Sequence, residues 1–524
     1  MMRKAFLLIF CLPILCFSYS SETVNVATAA DLIGLFSSAK GNTVNVNIDI
    51  QEDLDFSRAG LILPLGANSS GTCVSYSGVL HGNGHIIQGI AMNNRDKQPM
   101  FNHAGLFCSL KDAVVENLVI GSSCIFIGHH AGSLCVSVNG SLMMINVTNK
   151  ASVTGHSSVG GFVGEARDLT KGVLVSFEKC VNEGKITGDG SVGGFIGYFY
   201  SNTNNRMTIS SSMNSGIVTS MSDGAGGLIG YLSRNSGVGL EISRTTNNGI
   251  VTSASQVGGL VGHVGGDSES GTAMNIHGCA NKGRVTGDST VGGLVGVIAS
   301  NVTMDISRCV NSGMIVGGKK GIVGGFVGEM QVSTSVKISA SVNKQIVLGR
   351  GSYSAGLVGY ASFDTSSSPA TLSIINSENE DSISAGNGMA CGLFCVDLLC
   401  RNCLKSVVIN SINKGNVGAT IAYGISTTVT TARNVVSMGS VGSGPFTFWE
   451  SSTDVGMLYG REDKCIGCPS HVALFNFNWK TGFYEVVKTG DHVQDLLNDA
   501  AQRGHYGMLW TPKLDLTDTK AQPF

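Results

Sequence analysis

The chain has 524 residues, of which 72 are glycine, 42% are hydrophobic and only 13% are charged. The hydrophobic content excludes an intrinsically disordered chain, and the length favours several domains or one long solenoid. The formal net charge of −2 gives no reason to expect nucleic acid or an anionic membrane as a partner.

An export signal is predicted at residues 1–20. Residues 1–4 carry two positive charges, residues 5–17 are apolar, and Ser18 and Ser20 are small residues of the kind a signal peptidase needs. An apolar run of this length is too short to span a bilayer, and an uncleaved anchor is the alternative. We expect a secreted or cell-surface chain whose membrane association requires another component. Four sequons are candidate glycosylation sites: Asn68, Asn139, Asn146 and Asn301.

Residues 21–100 are predicted to form a small α/β cap at the N-terminal end. "TAADLIGLFSSA", which begins at Thr28, is typical of a helix with Thr28 as N-cap and Asp31 in its first turn. Strand-like segments follow, among them "VNIDIQEDLDFS" and "GVLHGNGHIIQGI".

Residues 101–442 repeat a short glycine-rich phrase. "SVGGFVGEA" at Ser158 returns as "SVGGFIGYF" at Ser191. The equivalent glycines of successive copies are separated by 33, 33, 32, 34, 32 and 31 residues. One large apolar residue follows each glycine pair, and these residues predict one continuous row: Phe162, Phe195, Leu228, Leu260, Leu294, Phe326, Leu357 and Leu393. The row indicates either a strand buried on both faces or a bend where the chain turns inward.

A second phrase follows about 20 residues after each glycine pair, as in "CVNEGKITG" and "CANKGRVTG". Asn-x-Gly between β-branched stretches predicts a turn with left-handed backbone angles. A unit of about 32 residues with several short strands cannot bury its own core, whereas stacked units can. The repeats therefore predict a right-handed parallel β-helix.

These residues resemble the GLUG repeat family, with "GGLIG" at Gly226 and "GGLVG" at Gly258 and Gly292 as good matches. "GVLHGNGHIIQGI" is similar to an element that precedes GLUG arrays, although His81 replaces the usual acidic residue. The resemblance covers about Thr28 to Val441. It implies a β-solenoid in a secreted or surface protein that is often adhesin-like. Some bacterial immunoglobulin A proteases carry such repeats beside a zinc peptidase domain, but the H-E-x-x-H motif of that domain is absent here.

Residues 443–524 lack the glycine period and are predicted to form a C-terminal cap and a loose tail. "DHVQDLLNDAAQR" is the one helical pattern in this region. We expect the region to cover the last coil, because an open coil exposes unpaired backbone groups.

No catalytic residue, cofactor or metal ligand is predicted. Asp189, Asp223 and Asp288 precede the glycine pairs, but the first two are one position out of phase, and ordinary turn aspartates explain them most simply. His129 and His130 lack the spacing of metal ligands.

The residue after the last glycine of each repeat is a low-ranked binding candidate. Tyr198, Tyr231 and His263 are predicted to lie on consecutive coils, where they form either a strip that stacks on sugar rings or a partner protein, or a structural ladder that seals a corner. The structural ladder is the preferred interpretation.

Thirteen of the 15 cysteines follow the predicted signal. Cys180, Cys279 and Cys309 occupy equivalent core positions. Six others are disulfide candidates: Cys391, Cys395, Cys400, Cys403, Cys465 and Cys468. The alternative is a zinc site formed by the two C-x-x-C pairs among them, because four thiolates suit a tetrahedral ion.

Three functions remain open on these observations. The first is a non-catalytic surface protein that binds a protein or glycan of a host or neighbouring cell. The second is a carbohydrate-active enzyme that uses Asp189 and Asp223, and the third is a passive spacer.

Overall fold

The computed structural model describes residues 22–488 except 40–42, 68–72, 98–101, 168, 202–203, 234–238, 267–270, 320, 362–368, 387, 397–403, 420, 427–430, 438–456, 460–472 and 479–482. The predicted signal at 1–20 and the predicted helix at 491–503 lie outside these residues. The chain forms a β-solenoid of about ten turns with parallel stacked coils. The parallel β-helix prediction is confirmed, and its right-handed sense stays a prediction.

Each coil contributes to three parallel sheets in a fixed order. In one coil, Leu174–Glu178 and Val181–Asn182 belong to sheet 1, Ile186–Gly193 belongs to sheet 2, and Ile196–Tyr200 belongs to sheet 3. Alternate residues of these strands face a core that runs along the solenoid axis, so each coil covers the apolar interior of the next.

Sheet 1 consists of Thr23–Val26, Asn47–Ile50, Leu54–Asp55, Val79–His81, Ile86–Gln88, Ala113–Ile120, Leu142–Asn149, Leu174–Glu178, Val181–Asn182, Arg206–Ser210, Met213–Asn214, Gly239–Ser243, Thr246–Asn247, Thr272–His277, Ala280–Asn281, Val302–Ser307, Val310–Asn311, Ser335–Ser339, Val342–Asn343, Ala370–Ile375, Glu378–Asn379, Leu404–Asn413 and Thr431–Ser437. Sheet 2 consists of Ala91–Asn93, Ile125–Gly128, Ala131–Gly132, Ser152–Gly155, Val159–Gly160, Ile186–Gly193, Val218–Gly226, Val251–Ser253, Val257–Gly258, Val285–Gly287, Thr290–Gly292, Ile315–Gly317, Ile322–Gly324, Val347–Leu348, Tyr353–Ala355, Ile383–Ser384, Met389–Cys391, Val417–Gly418 and Ile421–Tyr423. Sheet 3 consists of Thr43–Val44, Ser75–Tyr76, Phe107–Leu110, Cys135–Val138, Val163–Ala166, Ile196–Tyr200, Ile229–Ser233, Val261–Val264, Val295–Ile298, Val327–Met330, Val358–Ala361 and Phe394–Val396.

A helix at Ala29–Ser37 covers the N-terminal end of the core. Thr28 caps it as predicted: its Oγ1 accepts the N–H of Asp31 (3.2 Å), and the Asp31 carboxylate accepts the N–H of Thr28 (2.9 Å). These hydrogen bonds lower the pKa of Asp31. Leu32 and Phe36 of the helix are buried against the first coils, so the amphipathic segment closes an otherwise open apolar end.

The repeated glycines form a tight arch between sheet 2 and sheet 3. A side chain at Gly160 would collide with the carbonyl group of Val163, and one at Gly161 would collide with the carbonyl oxygen of Gly194 in the next coil. A side chain at Gly164 would meet the carbonyl oxygen of Val136 at 2.6 Å. The motif is therefore glycine-rich because backbone meets backbone on three sides.

The apolar residue after each glycine pair lies in a bend between two strands, which resolves the two alternatives in favour of the bend. The N–H of Phe195 donates to the carbonyl oxygen of Leu228 (2.8 Å), and that of Leu228 donates to Leu260 (2.9 Å). The predicted row of eight residues is continuous and fully buried.

The Asn-x-Gly turn is also a close approach between coils rather than a left-handed turn. Neither Asn182 nor Gly184 has a positive φ; that conformation occurs just before the turn, at Lys179 (φ 53°). Gly184 is required because a side chain there would collide with the carbonyl oxygen of Ala151. The predicted backbone conformation was wrong, because packing between neighbouring coils, and not local angle preference, selects the glycine.

The asparagines of these turns form a buried ladder through nine coils. The Nδ2 of each donates to the Oδ1 of the next at 2.7–2.8 Å. Its members are fully buried: Asn149, Asn182, Asn214, Asn247, Asn281, Asn311, Asn343, Asn379 and Asn413. Each side chain also donates to the carbonyl oxygen two residues ahead, so one residue type links coils and pins its own turn.

The C-terminal region contributes three short strands to a separate sheet. Met457–Tyr459 pairs in parallel with Ala473–Asn478, which pairs antiparallel with Phe483–Lys488. The region therefore departs from the repeating three-sheet coil, as the loss of the glycine period indicates.

Candidate functional site: a histidine–aromatic strip beside the glycine arch

Tyr198, Tyr231 and His263 lie in register on consecutive strands of sheet 3, as predicted. The Tyr198 and Tyr231 ring centroids are 5.9 Å apart at an interplanar angle of 19°, and those of Tyr231 and His263 are 4.1 Å apart at 7°. The guanidinium carbon of Arg167 lies 4.8 Å from the centroid of the Tyr198 ring. Tyr200, which the repeat pattern does not single out, lies beside Tyr198 at 6.4 Å with an interplanar angle of 10°.

The geometry of this ladder limits how it can bind. Arg167 lies over the Tyr198 ring and Tyr231 stacks against it, and Tyr198 and His263 both stack against the Tyr231 ring. A sugar that stacks on an aromatic ring requires a free face. The stacked arrangement therefore offers ring edges and phenol hydroxyls instead, which agrees with the preferred structural interpretation of the ladder.

Burial sets the protonation of the ladder. Burial lowers the pKa of His263 to about 4 and raises the pKa of Tyr231. The negative charge of the Asp223 carboxylate raises the pKa of Tyr231 further. His263 is 8% exposed, and its Nδ1 has no hydrogen-bond partner in the described protein. The imidazole is consequently neutral at pH 7 and packs as an aromatic ring.

Four histidines gather immediately below the ladder. The ring centroids of His103 and His130 are 5.2 Å apart, those of His129 and His130 are 4.6 Å apart, and those of His129 and His156 are 5.0 Å apart. They come from three successive coils, at the edge of sheet 2 where each chain segment enters the arch. The cluster was not predicted, although "HAGLFC" at His103 and "HAGSLC" at His130 place two of its histidines at equivalent repeat positions, a signal that could have found it.

Charged groups connect the histidines to the aromatic rings. His130 Nδ1 lies 3.6 Å from Glu165 Oε2, Glu165 Oε2 lies 2.9 Å from Arg167 Nη2, and Arg167 covers Tyr198. His156 Nδ1 pairs with the Asp189 carboxylate. We call this continuous set the histidine–aromatic strip, and its members are His103, His129, His130, His156, Glu165, Arg167, Asp189, Tyr198, Tyr231 and His263.

The loop aspartates occupy different surroundings. Asp223 pairs in register with Gly190, so Asp189 and Asp223 are offset by one position as predicted. Asp189 is engaged by His156, and its carbonyl oxygen accepts hydrogen bonds from Ser220 and Ser222. Burial raises the pKa of the Asp223 carboxyl. Asp288 is exposed. In the described part of the chain, no group of three histidine, cysteine or acidic side chains is placed to hold a metal ion.

The cysteines divide into core thiols and disulfides. Cys180, Cys279 and Cys309 are buried free thiols at equivalent coil positions, as predicted. The structure pairs Cys391 with Cys395, whereas Cys400, Cys403, Cys465 and Cys468 lie outside the described residues. A second disulfide, which was not predicted, joins Cys73 to Cys108.

Two of the predicted glycosylation sites are exposed in sheet 1 and its preceding loop. Asn139 donates to Ser109 Oγ (2.9 Å), and Asn146 donates to the Oδ1 of Asn117 (2.8 Å). Asn301 is partly exposed, and Asn68 lies outside the described residues. Glycan attachment stays a prediction at all four positions.

The nine-residue helix at Ala29–Ser37 is the one helix in the described part of the chain, and no helix there is long and apolar enough to cross a membrane.

No family model matches the chain, and no curated protein matches it. A structure search matches a solved Bacteroides ovatus chain that carries the provisional description immunoglobulin A1 protease, with 13% identity and a TM-score of 0.41. The match covers 55% of this chain and 85% of that one.

Proposed function

We propose that this chain is a secreted or cell-surface β-solenoid of the GLUG-repeat kind, which acts as a non-catalytic binding protein. Supporting observations are the continuous in-register stack and the predicted export signal. A rod held by internal ladders presents side chains at fixed spacing, which suits a binding surface because little conformational entropy is lost on contact.

The partner-binding surface in this proposal is the exposed edge of the histidine–aromatic strip. Arg167 is 45% exposed, and Tyr198, Tyr231 and the neighbouring Tyr200 are partly exposed. Tyrosine and arginine are enriched in protein interfaces, where they supply contact area and hydrogen bonds together. Because the ring faces are covered, we infer a surface protein rather than a glycan as the partner class.

The test uses the purified chain with a fluorescent label on intact cells. We expect binding that is lost when the cells are treated with protease and retained when they are treated with glycosidases. Arg167→Ala with Tyr198→Ser should weaken binding at least about tenfold, the effect of losing an interface residue worth about 1.4 kcal/mol or more.

Tyr360→Ser is the matched control, because Tyr360 occupies the same column of sheet 3 and stacks on Tyr353 at 4.3 Å. Binding that survives protease but not glycosidase would overturn the protein-partner proposal. Release of sugar ends from polysaccharides, abolished by Asp189→Asn, would support the enzyme instead. Absence of binding to any cell would support a spacer.

A further inference from the structure

The histidine cluster is tied directly to the hydrogen bonds between coils. The carbonyl oxygen of His129 accepts the N–H groups of His156 (3.0 Å) and Ser157 (2.9 Å). The carbonyl oxygen of His130 accepts the N–H of Ala104 (3.1 Å). A change in the charge of these side chains therefore acts at the backbone contacts that hold three coils together.

The surroundings of the four histidines do not favour several protonated imidazoles at once. The Nδ1 atoms of His103 and His130 are buried without a hydrogen-bond partner in the described protein. Around the four imidazoles stand the carboxylates of Glu165 and Asp189 and the guanidinium of Arg167. With neutral imidazoles the local charge is −2 + 1 = −1, and each proton that the cluster takes up adds one positive charge.

We propose that this four-histidine cluster is an acid-sensitive latch on the N-terminal coils. At neutral pH the imidazoles pack against one another and the inter-coil hydrogen bonds are closed. On acidification, imidazolium groups about 5 Å apart repel one another and require hydration. The segment 102–158 therefore opens locally, while the coils formed by residues after 250 stay closed. This inference is independent of the proposed binding function, because it concerns local stability alone.

Protonation of the cluster also changes the charges beside the aromatic ladder. Protonated His130 gives Glu165 a second cationic partner beside Arg167. Arg167 is the group that lies over the Tyr198 ring. Protonation of His130 thus adds a positive charge beside the Glu165–Arg167 pair, through which the cluster meets the ladder.

The pH window follows from the direction of the shifts. Burial lowers the pKa of His103 and His130 to about 4 in the closed state, whereas an opened histidine titrates near 6.5. The open state therefore binds more protons, and the closed state is lost as the pH falls from about 6.5 to 4. For a fully buried group, going from pH 7.5 to 5.0 favours opening about thirtyfold, and partial exposure reduces this.

The experiment is hydrogen exchange of the full chain at pH 7.5 and 5.0, corrected for intrinsic exchange rates. We expect the amides of Ala104, His156 and Ser157 to open at least about tenfold more at pH 5.0. The control amide is Ile322, which donates to the carbonyl oxygen of Ser289 in the preceding coil (2.9 Å), also in sheet 2 but away from the histidine cluster, and it should not change.

A substitution separates the latch from general acid sensitivity. His130→Gln removes the central titrating ring and should abolish most of the pH effect at residues 104–157. His277→Gln, at an exposed histidine outside the cluster, should leave it intact. Should His130→Gln fail to fold, His129→Gln serves instead, because His129 contacts both His130 and His156 and its removal should reduce the opening at pH 5.0. An equal response in the control coil, or a full pH response in His130→Gln, would overturn the latch.

Discussion

Replacement of Asn247 by alanine tests the asparagine ladder as the element that locks neighbouring coils together. Asn247 Nδ2 donates to Asn281 Oδ1 (2.8 Å) and to the carbonyl oxygen of Gly249 (2.9 Å), and its Oδ1 accepts from Asn214 Nδ2 (2.7 Å). All of these side chains are fully buried. The substitution therefore removes three hydrogen bonds and leaves their partners without water to replace them.

Leaving a buried polar group unsatisfied costs about 1–3 kcal/mol, so three orphaned partners predict a loss of roughly 3–6 kcal/mol once partial relaxation is allowed. A solenoid can unfold coil by coil, so a single melting temperature is a poor measure of this loss. The suitable assay is native-state hydrogen exchange at Gly249 and Val251, whose N–H groups donate to the preceding and following coils.

Asn248→Ala is the matched control, since Asn248 is the exposed neighbour of the ladder residue. It should change the local opening free energy by less than about 0.5 kcal/mol. Equal effects of the two substitutions would refute the reasoning, because the buried ladder would then contribute no more than a surface amide.

Four further outcomes are expected. Gly227→Ala should lower the free energy of unfolding by several kcal/mol or prevent soluble expression, because its Cβ would collide with the carbonyl oxygen of Gly259 and lie 2.6 Å from Asn247 Cγ. Gly239→Ala is the control, because nothing lies within 4 Å of its Cβ, and it should be neutral in the same expression and urea-denaturation assays. Tyr231→Ala should destabilise sheet 3 locally by about 1–3 kcal/mol through lost ring contacts in hydrogen exchange, and an effect no larger than that of Tyr360→Ala, in the same column but outside this stack, would contradict the importance of the triple stack. His263→Phe should flatten the fall in stability between pH 6.5 and about 4, because only the unfolded histidine takes up a proton in that window; an unchanged pH profile would contradict this. Reduction of Cys73–Cys108 should lower the stability of the N-terminal coils by up to about 4 kcal/mol, with Cys73→Ser giving the same loss without reductant; no difference between oxidised and reduced protein would show that the bond is not stabilising.

The repeat spacing was sufficient to predict the architecture, because each coil uses the same residues for the same contacts. The row through Phe195, Leu228 and Leu260 and the register of Tyr198 with Tyr231 both followed from counting glycines. The capping of the helix by Thr28 was equally readable, because capping is a local interaction.

The failures share a different physical cause. Asn182 and Gly184 were assigned to a left-handed turn, although their identities are required by groups in neighbouring coils. The histidine cluster and the Cys73–Cys108 bond, which also join residues of different coils, were not predicted. Such contacts depend on loop conformations between coils, which a single repeat does not specify. The bend at the glycine arch was predicted only as one of two possibilities. A strand buried on both faces and a bend both place the apolar residue in the core, so the sequence pattern does not distinguish them.

The central claim is that units of about 32 residues stack as parallel coils in strict register. On the outer face of sheet 2, seven successive pairings connect Thr154, through Thr187, Thr219, Thr252 and Thr286, to Ser384. Spin labels introduced as unnatural amino acids at these partly exposed positions leave the native cysteines untouched. With strands about 4.8 Å apart, electron–electron double resonance should give backbone separations near 19 Å for Thr154–Thr286 and near 34 Å for Thr154–Ser384, a linear increase of one strand spacing per coil. Distances that do not grow in proportion to the number of coils would contradict the stacked architecture.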